Sequence, residues 1–146
     1  MLPGLLPMIR KGTYILVMDI PDIGIYVGSL GMLNFSKGAY CYVGSAMNGL
    51  DQRIGRHLTK EKKIRWHIDR LTTTCISIEA YEAVSQEMCE CGLCEIVSEN
   101  GGEPSFKGFG CSDCRCDTHL FSLDTNSRKR LCSDLRLTPY PNIHND

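Results

Sequence analysis

The sequence predicts an α/β (α+β) fold in which helices flank a small, mainly antiparallel sheet. Three observations lead there. An aromatic and β-branched run, TYILVMDI (13–20), is followed by a second, AYCYVGSA (39–46), with turn residues between them. From Leu50 the apolar period becomes helical, with Leu50, Ile54, His57 and Leu58 recurring on one stripe. Alternation returns in CISIEAYEAV (75–84) before another helical stretch, so strands come first and then alternate with helices.

Taken in order, 13–20 is a strand, PDIG is a turn, and IYVGSL (25–30) is expected to return as the second strand of a hairpin. Gly31, Asn34 and Gly38 mark the next connection as a loop, and 39–46 is a strand ending in small residues. The helix from Leu50 carries Asp51 in its first turn, where a negative charge suits the helix dipole. IRWHIDRL (64–71) predicts a short second helix and 75–84 a strand. SQEMCECGLCEIVSE (85–99) predicts a helix stopped at NGG. The segment from about Ser122 turns polar and is expected to be poorly ordered. The domain expectation is therefore a tail over 1–10, a folded unit over 11–122 and a polar tail over 123–146.

A chain of 146 residues, 42% hydrophobic and 23% charged, has the composition of one globular domain. The opening MLPGLLPMI is far too short to span a bilayer and lacks the basic start and cleavage site of a signal peptide. A cytoplasmic location with no membrane partner is the expectation. Nine cysteines without an export signal then read as reduced thiols. The net charge of −1 does not by itself suggest a nucleic-acid binder. However, Arg53, Arg56, Lys60, Lys62, Lys63, Arg65 and Arg70 form a local positive stripe against only Glu61 and Asp69. Such a stripe suits phosphates, and it equally suits a solvated helix face.

Tyr-Val-Gly-Ser occurs twice, at 26–29 and at 42–45. Gly12-Thr13-Tyr14 opens one strand, Tyr42-Val43-Gly44 lies in another, and a helix carrying Arg53 and His57 follows. This ordered set resembles the GIY-YIG nuclease superfamily, whose members pair two strand tyrosines with a helical arginine and a later glutamate. The resemblance is to an uncharacterised branch, on GSAMNGLDQRIGRH, WHIDRL, ECGLCE and FGCSDCRCDTHLF, and covers about residues 11–122. It places Tyr14 and Tyr42 in the two named tripeptides, although Gly24-Ile25-Tyr26 spells the first one literally. The separation of Tyr14 from Tyr42 exceeds the family's usual one, which implies a hairpin inserted between the two motifs. With Tyr26 as the first tyrosine the register would differ.

The resemblance implies a metal-dependent endonuclease that hydrolyses DNA phosphodiester bonds. Such a reaction needs a proton acceptor for water, neutralisation of the phosphoryl oxygens and stabilisation of the leaving oxygen. Tyr14 is implied as the base and Tyr42 as a group positioning water or phosphate. Arg53 is implied as the phosphate clamp, a fork that stays charged. His57, at i+4 from Arg53, would assist proton transfer or bind phosphate. Glu90 would hold Mg²⁺ or Mn²⁺ through a hard oxygen. Arg56, Lys60, Lys62, Lys63 and Arg65 would carry the DNA. Members of the branch sometimes occur joined to a DNA-repair glycosylase domain, which implies a DNA-repair partner.

Each role has a competitor. Tyrosines suit half-buried strands on propensity alone. Arg56 could exchange places with Arg53, and Glu87 and Glu95 compete with Glu90. Trp66 reads as core more readily than as a base-stacking platform, and His67 and Asp69 as a hydrogen-bonded structural pair. The cysteines suggest a second constellation. Cys89-x-Cys91-x-x-Cys94 and Cys111-x-x-Cys114-x-Cys116, with His119, have spacing near that of zinc or iron–sulfur sites. The candidate ligands are Cys111, Cys114, Cys116 and His119. Against it, Cys89, Cys91 and Cys94 fall on a predicted helix, where i and i+2 face apart. The alternatives to an endonuclease are thus a non-catalytic nucleic-acid-binding module of the same fold and a cysteine-ligated zinc protein.

Overall fold

A computed structural model of the chain describes residues 9–110 and 116–141. In chain order the strands and helices are β1 (Gly12–Ile20), β2 (Ile23–Val27), β3 (Gly31–Phe35), β4 (Gly38–Ala46), α1 (Leu50–Leu58), α2 (His67–Thr72) and β5 (Ser77–Ala83). They continue as α3 (Glu90–Glu99), β6 (Glu103–Pro104), β7 (Leu120–Leu123), α4 (Thr125–Cys132) and β8 (Leu137–Pro139). Six strands form one antiparallel sheet in the order β6-β7-β4-β1-β5-β8, and β2 and β3 form a separate two-stranded ribbon.

β1 is the centre of this arrangement because it is apolar on both faces. Tyr14, Leu16, Met18 and Ile20 pack on one side with Leu50 and Ile54 of α1, Ile68 and Leu71 of α2, and the ribbon residues Ile25, Val27, Leu33 and Phe35. Ile15 and Val17 pack on the other side with Leu93 and Val97 of α3 and Leu131 of α4. A strand buried on both faces reads as a continuous apolar run, and TYILVM is one. Truncating a fully buried residue such as Leu16 would cost about 2–5 kcal/mol.

The expected class, a mainly antiparallel sheet flanked by helices, is the one observed, and the inserted hairpin lies between the two tyrosine strands. Its pairing differs from expectation. Segment 25–30 does not return along β1, because β4 and β5 occupy both edges of that strand. Ile23–Val27 pairs instead with 31–35, the segment expected to be a loop, and Gly28–Leu30 forms the short 3-10 turn that joins them. α3 begins at Glu90 rather than at 85, and Cys89 caps it by accepting a hydrogen bond from the Gly92 N–H.

The expectation of a poorly ordered end from Ser122 is also corrected. α4 and β8 lie beyond it, β8 pairs with β5, and Leu131 and Leu137 are buried. Asp124 caps α4 through the Ser127 N–H, and Arg128 returns to Asp19 of β1 at 2.8 Å. The folded unit therefore extends past 122. Among the described residues, no helix is long and apolar enough to cross a membrane.

Candidate functional site

Residues at one end of the sheet line a cleft of about 670 Å³, among them Tyr14, Tyr42, Arg53, His57 and Glu90. Tyr14 faces Gly44 across the β1–β4 ladder and Leu16 faces Tyr42, so the two tyrosines are diagonal neighbours on one face. Gly44 is required by this packing. A Cβ there would lie 2.5 Å from Tyr14 Oη and 2.6 Å from Cζ, so the glycine of the second tripeptide makes room for the tyrosine of the first. Gly49, whose φ of +146° favours glycine, leads into α1, and the helix presents Arg53 and His57 one turn apart. Glu90 is the first residue of α3 and half-buried. Tyr26 takes no part: it is 62% exposed on the ribbon, opposite Met32.

Tyr14 and His57 are both 1% exposed, and Tyr14 Oη lies 2.7 Å from His57 Nε2. Burial pushes the Tyr14 phenol upward and the nearby Tyr42 adds to this, while the charge and hydrogen bond of Arg53 act the other way. Burial, and next the Lys62 charge, lower His57 to about 3, so the imidazole is neutral at pH 7. Its Nδ1 is buried with no hydrogen-bond partner among the described residues. Moving the phenol proton to His57 is uphill, because burial disfavours both the phenolate and the imidazolium. His57 is therefore an orienting partner of Tyr14. A buried neutral ring also carries no charge for binding phosphate, the other role expected of it.

Arg53 and Arg56 have different jobs. The Arg53 guanidinium donates to the Ser45 carbonyl at 3.2 Å and stacks 4.6 Å from the Trp66 ring, on the cleft wall. Arg56 stacks on Trp66 at 4.4 Å but is turned to Asp69, which it grips with two hydrogen bonds of 2.7 and 3.0 Å. Asp69 is 0% exposed. Burial disfavours its charge, yet Arg56 and the backbone N–H groups of Trp66 and Arg65 hold its pKa below the ordinary value. Arg56 is thus structural, and Asp69 pairs with it rather than with His67. Trp66, 38% exposed, serves as a rim platform that orders both arginines.

The rest of the expected DNA-binding stripe divides similarly. Lys62 donates to the Arg56 and His57 carbonyls at the end of α1, and Lys60 to the Cys75 carbonyl. Lys63 is exposed away from the cleft lining, with its own carbonyl bound by Arg56. Arg65 alone of these five residues lines the cleft. His67 lines it too, beside the Phe109 ring at 5.6 Å, although in the sequence it reads only as structural. The WHIDRL motif was its one signal.

Glu90 is the carboxylate on the cleft wall, and Glu87 and Glu95 are exposed elsewhere. His119 Nδ1 stands 3.7 Å from the Glu90 carboxylate. Among the described residues Glu90 is the one carboxylate lining the cleft, and a lone carboxylate in a polar cleft fits Mg²⁺ or Mn²⁺, which keep several waters and take substrate phosphate as a further ligand. Of the expected cysteine site, Cys111 and Cys114 lie outside the described residues. Cys116 and His119 are described, and their ligand atoms lie with Cys94 Sγ within 4.8 Å of one another. No disulfide joins the described cysteines.

Fold and cleft together define a mixed α/β domain on an antiparallel sheet, with phenol, imidazole, guanidinium and carboxylate groups converging at one end. A family model described as a domain of unknown function, DUF123, matches residues 13–138, and the chain belongs to that family. Searches of curated proteins and of solved structures gave no match.

Proposed function

We propose that this chain is a metal-dependent endonuclease of the GIY-YIG type that hydrolyses DNA phosphodiester bonds, with a role in DNA repair. The observation that carries the reading is the convergence of Tyr14, Tyr42, Arg53, His57 and Glu90 on one cleft from four separate elements. Nothing in a packing requirement asks a phenol, a guanidinium and a carboxylate to share a concave surface.

In this mechanism Arg53 grips the non-bridging oxygens of the scissile phosphate, held in place by Trp66 and the Ser45 carbonyl. Arg65 contacts the flanking backbone from the rim. Tyr14 faces the attacking water, aimed by His57, and Arg53 is the group of this chain that favours a phenolate there. Tyr42, half-buried beside it, orients the water or the phosphate. Glu90 would hold Mg²⁺ or Mn²⁺, which supplies charge neutralisation when bound.

A second reading has one observation in its favour. The Tyr14–His57 pair is held neutral, as suits a binding module without turnover. Incubating the chain with supercoiled plasmid separates the two. The endonuclease nicks it in Mg²⁺ or Mn²⁺ and stops in EDTA; DNA retention without nicking in either metal favours the binder.

A further inference from the structure

We propose that Cys91, Cys94, Cys116 and His119 form a tetrahedral zinc site beside the cleft, sharing His119 with its wall and separate in chemistry from the hard-metal position at Glu90. Cys94, Cys116 and His119 already place their ligand atoms within 4.8 Å of one another, and Cys91 Sγ lies 3.1 Å from Cys116 Sγ. The donors therefore cluster in space although they come from two distant segments.

The helical objection raised by the sequence concerns Cys89 and Cys91, which are two residues apart. Cys91 and Cys94 are three apart on α3 and share a face, while Cys89 is spent on the helix cap. The ligand pattern becomes Cys-x-x-Cys followed by Cys-x-x-His, the spacing of structural zinc sites. His119 is fixed by its backbone, accepting from Val43 N and donating to the Phe109 carbonyl, both at 2.9 Å. His119 is 2% exposed and Cys94 7%, so two donors are already withdrawn from water.

Thiolates are soft ligands and select zinc over the Mg²⁺ or Mn²⁺ that a carboxylate prefers. Zinc–sulfur bonds of about 2.3 Å put tetrahedral sulfurs a little under 4 Å apart, so Cys91, which stands outside the 4.8 Å group, moves off Cys116 by less than about 1 Å and closes on the other donors as zinc binds. Four protein ligands leave no open position, which makes the site structural. It anchors the first turn of α3, where Glu90 precedes Cys91, and fixes His119 against that carboxylate.

The test is metal content and spectroscopy of the reduced full chain, neither of which depends on nuclease activity. Elemental analysis is expected to give roughly one zinc per chain. Cobalt exchanged into the wild type is expected to show thiolate charge-transfer absorption and tetrahedral ligand-field bands. Cys94→Ser, Cys116→Ser and His119→Ala are expected to lower zinc affinity by more than the roughly 100-fold that losing an outer partner costs. Cys132→Ser, outside the cluster, is expected to keep the metal. A folded wild-type chain without zinc and without thiolate–cobalt absorption overturns the proposal, as does a Cys91–Cys116 disulfide in the native protein. Full zinc retention by Cys91→Ser or Cys94→Ser overturns this ligand set. The wild-type spectrum needs no variant, so a variant that fails to fold leaves the test standing.

Discussion

Replacing Gly44 with alanine adds one methyl group, and the structure says where it goes. The new Cβ would sit 2.5 Å from Tyr14 Oη and 2.6 Å from Cζ, roughly 1 Å inside ordinary contact. Tyr14 is enclosed at 1% exposure, so the ring moves by about that amount or the β1–β4 ladder opens. Overpacking of this kind costs about 1–3 kcal/mol. The gain from removing a flexible glycine, about 0.4–1 kcal/mol, offsets it only in part. The same shift would stretch the 2.7 Å contact to His57, and on the proposed mechanism a misplacement near 1 Å costs on the order of 100-fold in rate. The assay is urea unfolding of Gly44→Ala, Tyr14→Ala and the double variant. With the ring removed, Gly44→Ala is expected to be close to neutral, a coupling of at least about 1 kcal/mol. Equal costs in both backgrounds would refute the reasoning that Gly44 exists to seat Tyr14.

Further outcomes follow from the same geometry. Arg56→Ala strips the partner from a fully buried carboxylate and is expected to destabilise by about 3–5 kcal/mol in urea titrations, with Arg56→Lys failing to restore the two-pronged contact. His57 binds its proton only near pH 3 when folded but near 6.5 when unfolded, so protons favour the unfolded chain and stability falls as pH drops through that window. The loss assigned to this residue between pH 7 and 5 is roughly 2 kcal/mol, and His57→Asn is expected to flatten that part of the pH–stability curve. Leu131→Ala, in the segment whose composition suggests a loose tail, is expected to cost about 2–5 kcal/mol; a change below about 0.5 kcal/mol would show that α4 contributes no core.

What could be read from the sequence was local or ordered along the chain. β1 and β4 announce themselves by composition, and α1 by its Leu50, Ile54 and His57 stripe, so Tyr14, Tyr42 and Arg53 could be placed before their contacts were known. Pairing partners could not be placed this way. β1 takes its neighbours from residues 38–46 and 77–82, and nothing near Ile25 says that both edges are filled. Arg53 and Arg56 are three residues apart on one helix; only Asp69, thirteen residues beyond Arg56, distinguishes them. α4 reads as solvated because its one large apolar contact is Leu131, and its cap, Asp124 to Ser127, is a short signal in a polar run. The cysteine face of α3 is hidden in the sequence because the helix start is not marked: only with Cys89 at the cap do Cys91 and Cys94 fall one turn apart on the same face.

The most direct test of the hydrolytic reading is Glu90→Gln, which keeps shape and removes charge. DNA affinity, measured by anisotropy, is expected to stay within a few-fold of wild type, while Mg²⁺-dependent nicking falls by at least about 100-fold, the loss of roughly 2.7 kcal/mol of transition-state stabilisation. Nicking at the wild-type rate by Glu90→Gln, or DNA binding by the wild type with no nicking in Mg²⁺ or Mn²⁺, would contradict it.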